Sequence, residues 1–203
     1  MNPSQAKSIP ELVELAAKLY GDKISIEDQD KSLSFKQLHE ESDRVFYSLL
    51  SSGINQGDRV GIWAPNQHEW ILAAIGILKV GAILVPVNTR LKGEEAGYIL
   101  EKSSVKLLFT MENFLGINYA EILDKKRLKN LKKIIFFDKP SGEGSWSHFL
   151  DTTITKTQYN LSEPYQGLIA DIIFTSGTTG NPKGVMVSHN QNMRVFESWS
   201  RHV

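Results

Sequence analysis

The stretch from Trp70 to Val87, WILAAIGILKVGAILVPV, is the most apolar in the chain, and it narrows the folds open to it. It approaches the ~20 residues that a membrane span needs. Lys79, Gly81 and Pro86 interrupt it, however. A buried helix, a glycine stop and a buried strand account for those breaks, so no transmembrane segment is expected. A strand, Asp58 to Ala64 (DRVGIWA), precedes the helix expected over Gln67 to Lys79, and a strand over Ala82 to Val87 follows it. Strand, helix and strand in this order describe a parallel pair joined by a helical crossover.

The alternation continues on both sides. Ser8-Ile9-Pro10-Glu11 and Ser34-Phe35-Lys36-Gln37 have the form of capping boxes, and each opens an amphipathic helix, closed at Gly21 and Gly53. Between them KISIED and SLSF read as short strands. Further on, helices are expected over Glu94 to Glu101 and Tyr119 to Lys129, with strands over Val105 to Thr110 and Lys132 to Phe137. Residues 139–166 are rich in Ser, Thr and Gly and read as a connection with one short turn around Trp146 and Phe149. A strand over Leu168 to Phe174 resumes the pattern. The fold class is therefore α/β, a parallel or mixed sheet covered by helices.

That last strand runs into FTSGTTGNPKGV, residues 174–185. Glycines at 177 and 180 tolerate positive φ, which lets successive backbone N–H groups converge on an anion. Thr175, Ser176, Thr178 and Thr179 add hydroxyl donors, and Lys183 adds a mobile positive charge. Pro182 keeps the loop from winding into a helix. Donors, one cation and no carboxylate describe a polyphosphate clamp. The loop is not a Walker sequence, because Pro182 stands where the second glycine belongs, and no G-x-G-x-x-G occurs. The bland alternative is a functionless Ser/Thr/Gly turn.

FTSGTTGNPKGV closely resembles the phosphate loop of the adenylate-forming, AMP-binding enzymes, which include acyl-CoA synthetases, luciferases and peptide-synthetase adenylation domains. The resemblance extends upstream through LSFKQLHEESDRVFYSLLSSGINQGDRVGIWAPNQHEWILAAIGILKVGAILVPVNTRL. VPVNTRL followed by KGEEAGYIL is similar to acyl-CoA synthetases of the fatty-acid–CoA ligase type. The resemblance implies an ATP-dependent ligase that converts a carboxylic acid to an acyl-adenylate and then, with coenzyme A, to a thioester. It implies that Thr175, Ser176, Gly177, Thr178, Thr179, Gly180 and Lys183 bind the ATP phosphates, with Mg²⁺ bridging phosphate oxygens. The family's Thr-Glu motif, its Thr-Gly-Asp motif and its small C-terminal domain with a catalytic lysine do not occur before Val203. Residues 1–203 are therefore expected to be the incomplete N-terminal part of the adenylation domain, with catalytic residues downstream and little activity of their own. Two other readings remain open: a non-catalytic polyphosphate-binding or interaction remnant, and an adenylation domain that loads a carrier protein.

Composition narrows the other possibilities. Lysine plus arginine and aspartate plus glutamate both number 23, so no net charge favours nucleic acid, and the basic run DKKRLKNLKK reads as a solvated face. The absence of cysteine excludes disulfides and thiolate chemistry and suits a cytoplasmic location. No N-terminal signal sequence is recognisable. Five histidines, His39, His68, His148, His189 and His202, show no metal-ligand spacing, so no metal site is expected. Two readings stand for His189: a neighbour of the active site, or part of a helix start capped by Ser188-x-x-Gln191. Met193, Phe196 and Trp199 give that final helix an apolar side with no upstream segment assigned to cover it.

Overall fold

Ser34 and Gln37 cap a helix reciprocally: the Gln37 N–H donates to Ser34 Oγ at 3.2 Å, and the Ser34 N–H donates to Gln37 Oε1 at 2.9 Å. The box at Ser8 is half formed, since Ser8 Oγ accepts from the Glu11 N–H while the Glu11 carboxylate accepts from Lys7 instead. The structure is a computed structural model that describes residues 6–29, 31–151, 165–175 and 182–200. The two caps open α1 (Ile9–Tyr20) and α2 (Phe35–Ser51), with the antiparallel strands β1 (Ile24–Asp28) and β2 (Lys31–Ser34) between them. There follow β3 (Arg59–Trp63), α3 (His68–Val80), β4 (Ile83–Pro86), α4 (Gly93–Lys102), β5 (Leu107–Thr110) and β6 (Lys133–Phe136). A short helix α5 (Trp146–Leu150), β7 (Ile169–Thr175), β8 (Lys183–Ser188) and α6 (His189–Ser200) complete the chain.

The main sheet has six strands in the order β6-β5-β3-β4-β7-β8. All neighbouring pairs are parallel except β7 and β8, which form an antiparallel hairpin at one edge. The crossover helix α3, between β3 and β4, packs against α1 and α2, with its residues from Leu72 to Val80 buried. Val60, Ile62, Leu107 and Phe109 point into that layer with Leu49, Leu72 and Ile77. The alternate residues Trp63, Val85 and Leu108 point to the opposite face, where α4 contributes Ala96, Ile99 and Leu100. Strands buried on both faces explain the near-continuous apolar runs of the sequence.

Gly81, at φ 73°, ends α3 in the left-handed conformation. Lys79, two residues earlier, is buried between α3 and α2. Its Nζ donates to Asp43 Oδ1 at 2.6 Å, Ser42 Oγ at 2.8 Å and the His39 carbonyl at 3.2 Å. Loss of solvation lowers the Lys79 pKa, and the Asp43 contact opposes that shift. The charge that breaks the apolar run is thus a tie between two helices. Among the described residues, no helix is long and apolar enough to cross a membrane.

Two expectations are corrected. Residues 119–129 form successive turns and not a helix. Asn118 Oδ1 accepts from the Ala120 N–H at 3.0 Å, and Asp124 Oδ1 accepts from the Lys126 N–H at 3.1 Å. Such side chains satisfy backbone donors locally and so compete with helix formation. Tyr119, Leu123 and Leu128 still bury into the second core layer. Residues 183–188, read only as the tail of a loop, form the edge strand β8. The turn expected around Trp146 is the helix α5, which sets Trp146 and Phe149 against Phe109 and Phe137. Residues 152–164 of the Ser/Thr-rich connection lie outside the described residues.

Gly76 of α3 faces Val45 of α2 so closely that an added Cβ would lie 2.4 Å from Val45 Cγ1. Alanine offers a helix interior up to about 1 kcal/mol over glycine, whereas overpacking costs about 1–3 kcal/mol. Gly76→Ala is therefore expected to destabilise the fold in urea denaturation, with part of the loss recovered when Val45→Ala is added. Equal or higher stability for the single variant would show that the helices separate freely.

Candidate functional site

The parallel strands β3, β4 and β7 end on one edge of the sheet, and a cleft of about 800 Å³ opens there. Ligands in open α/β sheets bind beyond the carboxyl ends of strands where the connections diverge to opposite faces. Here α3 leaves β3 towards one layer and α4 leaves β4 towards the other. Residues 64–66 follow β3, residues 87–89 follow β4, and Phe174, Thr175 and Pro182 come from the hairpin. Trp70, Leu91 and Ile99 give the cleft apolar walls.

The loop after β4 is held by two aromatic donors. Trp63 Nε1 donates to the Asn88 carbonyl at 3.1 Å, and the Tyr119 hydroxyl donates to the Thr89 carbonyl at 2.9 Å. The two rings stack with centroids 4.1 Å apart. Burial raises the Tyr119 pKa, which keeps the phenol a proton donor. Backbone carbonyls of the VPVNTR segment are thereby fixed by groups that are themselves packed, the condition for a preorganised site.

Thr175 and Lys183 pair directly across β7 and β8, so the hairpin clamps both ends of the sequence between them at the rim of the cleft. Both side chains are exposed. Tyr98 of α4 reaches the same corner, with its hydroxyl 3.4 Å from the Pro182 carbonyl. Of the residues expected to hold phosphate, Thr175 and Lys183 are therefore brought together. Ser176, Gly177, Thr178, Thr179 and Gly180 lie outside the described residues.

The chain is similar to several enzymes of one kind. The AMP-binding enzyme family matches residues 13–202. The chain belongs to this family. It is 32% identical over 96% of its length to a methyl-dioxo-octahydro-indenyl propanoyl:CoA ligase of Rhodococcus jostii. It is 37% identical over 90% of its length to crotonobetaine/carnitine–CoA ligase of Salmonella typhimurium. It spans only 40% and 37% of those two proteins, respectively. The crystal structure of the anthranilate CoA ligase AuaEII in complex with anthranoyl-AMP superposes with a TM-score of 0.79 at 27% identity, covering 94% of this chain and 37% of that one. The expected fold, the incomplete N-terminal part of an adenylate-forming enzyme, agrees with these matches.

For this family member the structure separates His189 from the cleft. Ser188 pairs with Ile169 at the far end of the hairpin. Six strand residues at ~3.3 Å each put His189 roughly 20 Å from the Lys183 end. Ser188 and Gln191 form the helix start proposed from sequence, with the Ser188 N–H donating to Gln191 Oε1 at 2.8 Å and the Gln191 N–H to Ser188 Oγ at 3.3 Å. His189 itself is fully buried, edge-on to Tyr165, and neither ring nitrogen has a hydrogen-bond partner. Nearby, Asn192 donates to Asp171 Oδ2 at 2.6 Å, while burial raises the Asp171 pKa. No sequence signal marked Asp171, because an aspartate in the run LIADIIF shows neither its depth nor its partner.

Burial lowers the His189 pKa to about 4 from 6.5. The native state thus prefers the neutral ring, and the associated stability is complete above the unfolded value and is lost as pH falls towards about 4. Stability measured by urea denaturation is expected to drop by about 2 kcal/mol between about pH 7.5 and about pH 5 from this group. His189→Leu should remove that part of the slope, and an unchanged slope would assign the acid sensitivity elsewhere.

Proposed function

We propose that the protein containing this chain activates a small organic acid with ATP and transfers the acyl group to coenzyme A. Family membership supports the reaction class. The observation that carries the reading is the pairing of Thr175 with Lys183 at the rim of the carboxyl-end cleft. In the first step a carboxylate oxygen attacks the α-phosphorus of ATP, and pyrophosphate leaves. In the second, the thiolate of coenzyme A attacks the acyl carbon, and AMP leaves.

The role of this chain is positional and electrostatic. We assign Thr175, Ser176, Gly177, Thr178, Thr179, Gly180 and Lys183 to the β- and γ-phosphates. Converging N–H groups and one ammonium stabilise charge that shifts onto pyrophosphate as it departs. The residues fit this task in one further respect: Lys183 has no carboxylate partner among the described residues of the hairpin. Among the described residues, Mg²⁺ finds no comparable support. Glu95 is the carboxylate lining the cleft, and its Oε2 already accepts from the Lys92 N–H at 2.9 Å. Beyond the described residues of this chain, an ion accompanying ATP would rest on phosphate oxygens and on residues elsewhere in the protein. Catalytic residues are likewise assigned to the rest of the protein, since the chain spans about 40% of the relatives it matches. The relatives act on a polycyclic propanoate, a betaine and an aromatic acid, so the class of substrate proposed is a small carboxylic acid without a narrower choice.

Carboxylate-dependent ATP–pyrophosphate exchange by the complete protein tests this reading, using a panel of aliphatic and aromatic acids. Lys183→Ala is expected to reduce exchange by roughly 10- to 100-fold, the loss of one charged hydrogen bond, with the circular dichroism spectrum unchanged. Exchange with no acid in the panel would reject the activity. Full exchange by the variant would instead remove Lys183 from phosphate binding.

A further inference from the structure

Among the described residues, Asp28, His68 and Glu69 are the group that brings three potential ligand atoms within 4.8 Å of one another. Asp28 ends β1, and His68 and Glu69 open α3, 40 residues later in sequence. Asp28 Oδ2 accepts from the His68 backbone N–H at 2.8 Å and contacts His68 Nδ1 at 2.9 Å. The carboxylate therefore places the ring proton on Nδ1 and directs the lone pair of Nε2 outward. That lone pair meets Glu69 Oε1 at 2.8 Å. A ring lone pair and a carboxylate oxygen repel at this distance unless a positive charge lies between them. A second proton supplies one, and a metal ion supplies another.

Three features favour the ion. A carboxylate that takes the Nδ1 proton while Nε2 faces a second ligand is the arrangement that orients histidines on metals. The three side chains are only partly exposed, 15% to 22%, which limits competition from bulk water. A cavity of about 480 Å³ adjoins them, lined also by Gln67, Met111 and Asp138, with room for the water ligands that a partial protein site requires. The carboxylates offset the positive end of α3. This cavity shares no lining residue with the cleft assigned to ATP. We propose that His68 Nε2 and Glu69 Oε1 chelate one divalent transition ion of the Zn²⁺ class, with Asp28 as the orienting carboxylate. Imidazole and carboxylate together select such an ion over Mg²⁺. The ion would tie the β1–β2 hairpin to the start of α3.

Calorimetric titration of the 203-residue chain with Zn²⁺, alongside nitrogen resonances of the histidine rings, tests the site. One saturable ion per chain is expected, with the His68 Nε2 resonance shifted and the melting temperature raised. Glu69→Gln keeps the shape and should weaken binding at least about tenfold, and Asp28→Asn should weaken it by roughly 10- to 100-fold through the ring orientation. His39, near Asp43, is controlled by His39→Gln, which should leave the affinity unchanged. Two outcomes would overturn the proposal: no saturable binding, or binding that survives both His68→Gln and Glu69→Gln in variants whose melting curves show them folded. Either would mean that the cluster holds only a proton.

Discussion

Strand β3 cannot exist without both layers of the protein. Every residue from Val60 to Trp63 is buried, and successive side chains enter two different cores. Its neighbours β4 and β5 are parallel to it, so each must be reached by a crossover that covers a face of the sheet. Gly61 shows how tight that arrangement is: an added Cβ would lie 3.0 Å from side-chain atoms of both Leu100 and Leu108. Burial of this one strand therefore requires α2 and α3 on one side and α4 with the turns after it on the other.

The cleft follows from the same constraint. Crossovers to opposite faces leave the carboxyl ends of β3 and β4 without a shared cover. The chain lines that gap with backbone from residues 64–66 and 87–89, and Trp63 and Tyr119 fix the second segment from beneath. The packing core and the candidate site are thus joined through one stacked aromatic pair. The hairpin of β7 and β8 adds the charged rim. Its outer face remains open, with Met186 64% exposed, and α6 exposes Phe196 and Trp199 at 48% and 73%. In relatives more than twice as long, additional chain is available to cover such surfaces.

Polar groups inside the molecule fall into two kinds. Lys79 is surrounded by acceptors and couples α3 to α2, and its contact with Asp43 opposes the lowering of its pKa by burial. His189 and the Oδ1 atom of Asp171 lack partners, and burial drives both groups towards their neutral forms. The first arrangement ties helices together, whereas the second makes the seating of α6 depend on pH in two opposite senses. The lowered His189 pKa loses stability as pH falls towards about 4, and the raised Asp171 pKa loses it as pH rises.

The order of strands and helices up to β5 was legible because each element carries a local cause: a serine cap, a glycine stop, or an apolar run of strand length. The phosphate-loop motif was legible for a similar reason, since its donors, cation and proline are contiguous. Residues 119–129 misled because helical spacing of apolar side chains also occurs where Asn118 and Asp124 bind the backbone in turns. Strand β8 was missed because its pairing with β7 supplies what its own residues do not signal. Sequence alone determined the α/β alternation, the ends of the helices and the chemistry of the loop, all governed by neighbours a few residues apart. Only the tertiary structure decided the strand order, the depth of His189 and the meeting of Asp28 with His68 and Glu69. Those depend on contacts between segments far apart in the chain, which no local pattern encodes.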